Sequence, residues 1–270
     1  MWCYSSRVRR FAAAAFAALA LPAFAAASRD LPEIESSGEL RVLVVDGAPA
    51  LVSLKPGTEP GLERELLDAF ARLHAVHVRL VEVGSWEELI PALLAGKGDL
   101  VAGGVTDTPE RRRQIDFCAE VFPSRNVVMT RKPSPLVTTL GQLRTVKIGT
   151  IRGTNLAVQL ADAQVPQANI DYGIPVNDWG QVLRSGRVTA LLDGIEDALL
   201  IQIADPDVQL GMFLGPPQSL AFGMRKDAPA LRGALDEYVN SVRKTPTWSR
   251  LVVKYFGQSA ADVLKKARGE

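Results

Sequence analysis

Residues 89–99 read LIPALLAGKGD, and residues 104–112 read GVTDTPERR. The first run is an apolar helical segment that a glycine ends, and a short apolar strand follows it. In the second run, Thr108 suits an N-cap and Pro109 suits the first helical position, so a helix is predicted to begin there. A strand, a hydroxyl residue and a helix start in one stretch are typical of a pocket for a small carboxylate.

Arg111 carries the chemistry of this stretch. Its planar guanidinium can hold a carboxylate through two parallel hydrogen bonds, and the free amide groups of a first helical turn attract anions. Thr106 precedes it, and Gly104 allows a ligand to approach the backbone closely. The alternative interpretation is a surface arginine in a solvated turn. As a binding element, the stretch indicates capture of a ligand rather than catalysis.

Strand and helix signals alternate along the rest of the chain, in two units joined by the proline-bearing segment at residues 131–135. The first unit has predicted strands at 40–45, 76–83 and 100–104, a helix from Gly61, and a helix that a Ser85–Glu88 capping box starts. The second unit has a predicted capping box at Thr139 and Gln142, strands at 146–151 and 188–193, and helices at 156–162 and 176–184. The pattern predicts an α/β fold of two lobes, each a mostly parallel sheet flanked by helices, with a cleft between them.

The N-terminal segment predicts export. Three arginines precede an apolar stretch at residues 11–21, and Ala23-Phe24-Ala25 offers small residues for a signal peptidase, so residues 1–25 are predicted to be a cleaved signal peptide. Of the 31 basic residues, three lie in this segment, which contains no Asp or Glu, so 28 basic residues face 30 acidic residues after cleavage. This charge balance argues against nucleic acid as a partner.

Cysteine and histidine usage gives no sign of a metal site or an internal disulfide. Cys118 is the single cysteine expected after cleavage, and its surroundings predict a small buried group. His74 and His77 have no carboxylate cluster near them in the sequence. We therefore expect no metal and no cofactor.

In this order and spacing, several motifs together resemble those of the periplasmic solute-binding proteins of the polar amino acid type, called family 3 of the extracellular solute-binding proteins. The motifs are GELRV (residues 38–42), GLERELL (61–67), the two opening runs, IDF (115–117), IGTIRGT (148–154), GRV (186–188), MRKD (224–227) and KYFG (254–257). The resemblance covers nearly the whole chain after residue 25.

The resemblance implies a two-lobed clamp of type II, with lobe 1 formed by residues 30–131 and 222–270 and lobe 2 by residues 132–221. In such proteins the lobes close on the ligand, and the closed form docks on an ABC permease in the inner membrane. The implied function is capture of an amino acid or a related organic acid in the periplasm, by a monomer without enzymatic activity.

Site residues are also implied by the resemblance. Arg111 matches the residue that binds the α-carboxylate of an amino acid, and Thr106, Gly104 and Thr154 match positions that assist it. Trp86 falls where an apolar or aromatic residue lines the side-chain pocket. A structural interpretation remains open for Trp86, as a packing residue at a helix entry.

This chain departs from the family pattern at two places. The acid that pairs with the ligand's ammonium group is expected at position 194, which is glycine here, and Asp193 lies one residue earlier. The loop at residues 46–51 also lacks the aromatic ring that commonly covers the ligand. Asp193 is therefore either the ammonium partner or only the end of a strand.

Two alternative functions belong to relatives of the same fold. One is a dehydratase of the kind that acts on cyclohexadienyl carboxylates, which requires Glu120, Glu196 or Asp197 as an acid in the cleft. The other is an exported sensor or accessory module related to the binding half of membrane-bound lytic transglycosylases. Two further acids, Glu63 and Glu65, are predicted to lie on a solvated helix face.

Overall fold

The computed structural model describes residues 29–46, 51–175, 179–257 and 260–270. The predicted signal peptide, residues 1–25, lies outside the described residues, as does most of the loop at residues 46–51. Across the described ranges, no helix is long and apolar enough to cross a membrane.

One sheet is built from four strands near the beginning of the chain and a fifth strand that comes from much later in the sequence. Its strands are β1 (Glu39–Val44), β2 (His77–Glu82), β3 (Leu100–Val101), β4 (Asp116–Phe117) and β10 (Gly223–Met224), in the order β2-β1-β3-β10-β4. β1 runs parallel to β2 and β3, whereas β10 runs antiparallel to β3 and β4.

The second sheet repeats this plan. Its strands are β5 (Phe122–Arg131), β6 (Ile148–Gly149), β7 (Ile170–Asp171), β8 (Ala190–Gly194) and β9 (Val208–Leu220), in the order β7-β6-β8-β5-β9. β6 is parallel to β7 and β8, and β5 is antiparallel to β8 and β9. The predicted parallel core is present in each sheet, but both sheets are mixed: the short strand β10 runs antiparallel in the first, and the long strands β5 and β9 return through the second.

Helices cover these sheets. They are α1 (Leu31–Ser37), α2 (Leu62–Leu73), α3 (Trp86–Leu94), α4 (Pro109–Gln114), α5 (Leu140–Leu143), α6 (Asn155–Asp162), α7 (Trp179–Arg184), α8 (Ile195–Ala204), α9 (Pro229–Arg243), α10 (Pro246–Phe256) and α11 (Ala260–Arg268). The capping box predicted at Thr139 and Gln142 forms at the start of α5. The one predicted for α3 is wrong, because Ser85 occupies the N-cap without a side-chain hydrogen bond.

The opening stretch of sequence ties the first sheet together at Gly98 and Asp99. A Cβ on Gly98 would lie 2.5 Å from Cγ of Leu43, so the chain can pass over β1 only with glycine at this position. Asp99 is fully buried and accepts a hydrogen bond from the backbone N–H of Arg41 at 2.8 Å, and its carboxylate also pairs with the guanidinium groups of Arg29 and Arg41. This fully partnered acid fixes the start of β3 against β1, in the middle of the sheet.

Strand pairing shows to which sheet the residues before position 131 belong. β5 pairs with β8 and β9, so residues 122–131 are part of the second sheet. The chain leaves the first sheet after Phe117 and returns to it between Leu220 and Gly223. The division of the whole chain into two lobes stays a prediction.

The C-terminal helices are shared between the two units. α9 contacts α1, and α10 contacts both α2 and α8, but α11 packs on β5, β9 and α8. The assignment of residues 222–270 to lobe 1 stays a prediction, and within that range α11 packs mainly on elements of the second unit. Its Ala267 is fully buried in this packing.

Candidate functional site

Arg111 lies at the start of α4, which begins as the sequence predicts. The Thr108 hydroxyl accepts a hydrogen bond from the backbone N–H of Arg111 at 3.2 Å, and Pro109 occupies the first turn. The guanidinium is half-buried and donates from Nη1 to the carbonyl oxygen of Thr106 at 2.9 Å. Among the described carboxylates, none lies within 4.0 Å of it, in contrast to its neighbour Arg112, which pairs with Asp107. Burial lowers the pKa of Arg111, so this cation is poorly solvated and retains donors for a ligand.

The structure brings all six sequence-predicted site residues onto one narrow cavity. Four of them come from the first unit and two from the second: Gly104, Thr106, Arg111 and Trp86, with Thr154 and Asp193. A wider groove of about 680 Å³ shares Trp86, Arg111 and Thr154 with this cavity. Elements more than 80 residues apart in sequence therefore meet around one space, which lies between the two sheets.

Glu63 is the main residue that the sequence analysis placed wrongly. Only 1% of it is exposed, and its carboxylate accepts the backbone N–H groups of Gly103 at 2.7 Å and Gly104 at 3.2 Å. Both glycines have positive φ, +95° and +85°, which turns their N–H groups toward α2. A signal was available, since Glu63 stands three, four and seven residues before Leu66, Leu67 and Phe70, on the apolar face of α2.

Burial of Glu63 has an electrostatic consequence. Desolvation raises the pKa of Glu63 to about 7, although the two backbone donors favour the charged form and lower it. Gly104 lines the cavity, but its N–H is already bound to Glu63. Gly104 therefore contributes the shape of the site rather than a free donor.

Two further predicted residues have mixed local roles. The Thr154 hydroxyl donates to the carbonyl oxygen of Ile151 at 2.6 Å, at the N-cap of α6, where it makes no side-chain capping bond. Trp86 is half-buried and packs against the hydrophobic core, so the packing interpretation describes part of its role. Its indole Nε1 is buried without a hydrogen-bond partner among the described residues, and the residue also lines the cavity.

A group of buried acids lies on the opposite side, where β8 leads into α8. Asp193 and Glu196 are 8% and 5% exposed, and Asp197 follows in the first turn of α8. The Asp193 carboxylate accepts from the N–H of Gly194 at 2.8 Å, and that of Glu196 accepts from the Ser124 hydroxyl at 2.6 Å. Asp193, Glu196 and Asp197 line the cavity together with Ser124.

These acids share one electrostatic environment. Burial raises the pKa values of Asp193, Glu196 and Asp197 above the ordinary carboxyl range, and the pKa of Asp197 is raised further by the negative charges of Asp193, Glu196 and Glu63. The cavity therefore has one unpaired guanidinium at one side and several poorly solvated acids at the other. This charge arrangement fits a ligand that carries both an anionic and a cationic group.

Glu120, one of the three acids required by the dehydratase interpretation, does not reach this cavity. Its carboxylate accepts from the Ser219 hydroxyl at 2.7 Å and pairs with Arg243 at 2.7 Å, on the edge of a different groove. Ser124 and Asn126 of β5 line the cavity instead and were not predicted. The sequence analysis assigned no element to residues 122–131, so nothing pointed to these two side chains.

The remaining candidates are structural. Cys118 is buried, and burial raises the pKa of its thiol well above the usual range. Across the part of the chain that the structure describes, no group of three or more His, Cys, Asp or Glu side chains is arranged to hold a metal ion.

The sequence model of the family described as "Bacterial extracellular solute-binding proteins, family 3" matches residues 40–258, which include both sheets and the cavity. The chain belongs to this family. The family 3 fold accounts for two mixed sheets flanked by helices with a binding cleft between them. The unpaired arginine and the buried acids of this solute-binding protein therefore lie in the cleft between its two sheets.

Three individual similarities are informative. The probable histidine-binding protein of Campylobacter jejuni is 28% identical over 67% of this chain and 70% of its own length. The membrane-bound lytic murein transglycosylase F of Pseudomonas fluorescens is 25% identical over 87% of this chain, and this chain spans about half (49%) of that protein. The crystal structure of AncCDT-1, an ancestral amino acid-binding protein and a precursor of cyclohexadienyl dehydratase, matches with a TM-score of 0.74 and 25% identity over 84% of this chain and 99% of that one.

Proposed function

We propose that this solute-binding protein captures an amino acid in the periplasm and delivers it to an ABC-type permease. The observation that carries the proposal is the unpaired, half-buried guanidinium of Arg111, which shares one cavity with the buried acids that end β8. An amino acid at neutral pH presents a carboxylate and an ammonium group, and the site offers a partner for each. Similarity to a probable histidine-binding protein supports this ligand class.

In the proposed complex, Arg111 binds the α-carboxylate, and Thr106 and Thr154 lie beside it. Trp86 faces the ligand's side chain and leaves its indole N–H available to a polar atom. Asp193 belongs to the acidic side of the site. Export through residues 1–25, action as a monomer and docking on an inner-membrane permease are parts of the same proposal.

A thermal-shift experiment on the protein without residues 1–25 tests the ligand class. The twenty L-amino acids are compared with matched compounds that lack one charge, for example L-histidine with histamine and with 3-(imidazol-4-yl)propionate. A ligand at about 100 times its Kd stabilises the folded state by about 2.7 kcal/mol, which raises the Tm by several degrees. We expect one or a few amino acids to raise the Tm and their matched compounds to do so far less. A flat response to all amino acids would contradict the proposal.

Glu196 favours a second candidate, a dehydratase acting on a cyclohexadienyl carboxylate. A buried carboxyl whose pKa is raised by desolvation can hold a proton near neutral pH and act as a general acid. It would protonate the leaving hydroxyl group, which departs as water while loss of carbon dioxide supplies the electrons that complete the aromatic ring. The structural similarity to a precursor of cyclohexadienyl dehydratase supports this alternative.

Incubation with prephenate, followed by the ultraviolet absorbance of the aromatic keto acid, tests the enzymatic alternative. Glu196→Gln is the matched control, because it keeps the size of the side chain and removes the transferable proton. Under the binding proposal we expect no turnover above the uncatalysed rate. Turnover by the wild-type protein that the variant loses would establish the dehydratase instead.

A further inference from the structure

The chain crosses between the two sheets at two short segments that lie side by side. The outgoing segment, residues 118–121, joins β4 to β5, and the returning segment, residues 219–222, joins the end of β9 to β10. The backbone N–H of Val121 donates to the carbonyl oxygen of Leu220 at 2.8 Å and so links the two segments. Any rotation of one sheet relative to the other must bend these segments, because they are where the chain passes between the sheets.

Glu120 lies in the outgoing segment and is bound from two sides. Oε2 of its carboxylate accepts a hydrogen bond from the Ser219 hydroxyl at 2.7 Å. Oε1 pairs with Nη2 of Arg243 at 2.7 Å, and Nη1 of the same guanidinium donates to the backbone carbonyl oxygen of Glu120 at 2.7 Å. The side chains of Glu120 and Arg243 are only 26% and 22% exposed, so solvent screens this ion pair less than it screens a surface pair. We call Glu120, Ser219 and Arg243 the clasp.

The two partners of Glu120 belong to different parts of the molecule. Ser219 lies at the end of β9, a strand of the second sheet. Arg243 ends α9, which packs on α1, and a second ion pair on this helix, Arg232 with Asp116 of β4 at 3.0 Å, fastens α9 to the first sheet. The clasp is therefore complete only while the end of β9 and the end of α9 hold one position relative to each other.

The structure shows this position with the two units in contact across the cleft. A Cβ built on Gly153, in the turn before α6, would lie 2.9 Å from the backbone nitrogen of Glu87, in the first turn of α3. Real Cβ atoms do not approach other heavy atoms so closely, so the turn lies directly against the helix. The clasp is thus complete in an arrangement whose cleft is closed at this point.

We propose that the clasp favours the closed arrangement of the two units and so raises the affinity for the ligand without touching it. Opening the cleft turns β9 relative to α9, which separates Glu120 from Ser219 or from Arg243. A protein whose binding-competent state is only partly populated binds with an affinity reduced by that fraction, so loss of the clasp lowers the apparent affinity. Neither Glu120 nor Arg243 lines the ligand cavity. The inference rests on the proposed function only where an affinity for an amino acid is measured.

Isothermal titration calorimetry on Glu120→Ala, with Arg232→Ala as the matched control, measures the effect of the clasp on affinity. The control removes an ion pair that the same helix makes with the first sheet. The probes are L-histidine and the other amino acids that raise the Tm in the thermal-shift screen. We expect Glu120→Ala to weaken the binding of each of them about fivefold or more and by a similar factor, because the clasp contacts none of them. Arg232→Ala is expected to bind like the wild-type protein.

A double variant tests whether Glu120 and Arg243 act together. If they form one clasp, Glu120→Ala/Arg243→Ala loses little more affinity than Arg243→Ala alone, whereas independent residues would give the product of the two single effects. Glu120→Gln keeps the size of the side chain and an oxygen for Ser219 but removes the charge. We expect it to retain the wild-type circular dichroism and to lose affinity in the same direction, by about threefold.

Small-angle X-ray scattering of the ligand-free proteins tests the inference without any ligand. We expect Glu120→Ala and Arg243→Ala to have a larger radius of gyration than the wild-type protein and Arg232→Ala to match it. Wild-type scattering from Glu120→Ala would overturn the inference whatever its affinity, and so would an equal loss of affinity in Arg232→Ala or a loss confined to one amino acid. If no amino acid binds the wild-type protein, the proposed function fails, and the scattering of the ligand-free variants still decides the inference.

Discussion

Arg111→Ala lowers the affinity for the bound amino acid by at least about 100-fold, which is the largest effect on binding that we expect. The guanidinium is half-buried, its one described hydrogen bond goes to the carbonyl oxygen of Thr106, and no described carboxylate pairs with it. Removing it leaves the ligand's carboxylate in a narrow cavity with acids opposite, where no other cation lies among the described residues that line it. The matched analogue without an amino group is expected to lose binding as well, because it shares the carboxylate.

Calorimetry on Arg111→Ala and Arg113→Ala measures this effect. Arg113 lies on the same short helix, two residues further on, and its side chain is exposed. We expect Arg113→Ala to bind like the wild-type protein and both variants to retain the wild-type far-ultraviolet circular dichroism. Equal affinity of Arg111→Ala and wild type would remove the basis of the carboxylate site.

The second large effect is on stability, because the ligand-free protein is expected to unfold more easily as the pH rises. The pKa of Glu63 is raised from 4.5 to about 7 by burial, so the folded state holds this proton more tightly than the unfolded state. The stabilisation is fully present below the unfolded pKa and is lost as the pH passes through about 7. Between about pH 5 and about pH 8, Glu63 alone lowers the free energy of unfolding by roughly 2–3 kcal/mol. Asp193, Glu196 and Asp197 act in the same direction.

Urea denaturation of the ligand-free protein at a series of pH values measures how the free energy of unfolding falls as the pH rises. In Glu63→Gln, this fall between about pH 5 and about pH 8 is expected to be smaller by roughly 2–3 kcal/mol, whatever the effect of the substitution on stability at a single pH. Glu65→Gln is the matched control on the same helix. Partial burial raises the pKa of Glu65, but hydrogen bonds from Lys254 and Tyr255 lower it more, so its net shift is downward and it does not titrate in this range. A profile that is flat from about pH 5 to about pH 8, or a Glu65→Gln profile that flattens as much, would show that buried acids do not carry the effect.

The acids that line the cavity at the end of β8 combine a binding requirement with a cost in stability. Asp193, Glu196 and Asp197 must be deprotonated to bind a cationic group, and in the empty cavity their deprotonation weakens the fold. A ligand that supplies the counter-charge is expected to restore stability at the higher pH, so the ligand-induced rise in Tm should increase from about pH 6 to about pH 8.

Local sequence rules were enough for much of the fold. Thr108 and Pro109 start α4, and the apolar spacing of Leu62, Leu66 and Phe70 identifies α2, because caps and amphipathic faces depend on residues within two helical turns. The same rules led to Arg111, and the cavity contains all six ligand-binding residues that the sequence nominated, although not the candidate acid Glu120. The order of motifs along the chain was enough to indicate the family.

Local sequence rules could not predict which strands pair with β5 or which cation pairs with Glu120. β5 follows β1 to β4 of the first sheet in sequence but pairs with β8 and β9, which begin more than 50 residues later. The sequence offers Glu120 as a candidate acid for the cleft, yet Arg243, from the C-terminal helices, binds its carboxylate away from the cavity. A strand's partners and an acid's counter-charge depend on which surfaces meet after folding, so residues near in sequence carry little information about them.

The sequence by itself determined the alternation of strands and helices, the start of α4 and the cation at Arg111, because each depends on neighbours a few positions away. Only the tertiary structure decided what the acids do. Glu63 turns inward to the N–H groups of Gly103 and Gly104, and Glu196 reaches into the space that Gly194 leaves open. Those outcomes depend on which backbone donors and which free volumes the packed elements bring within a few ångströms, and spacing along the chain does not encode such distances.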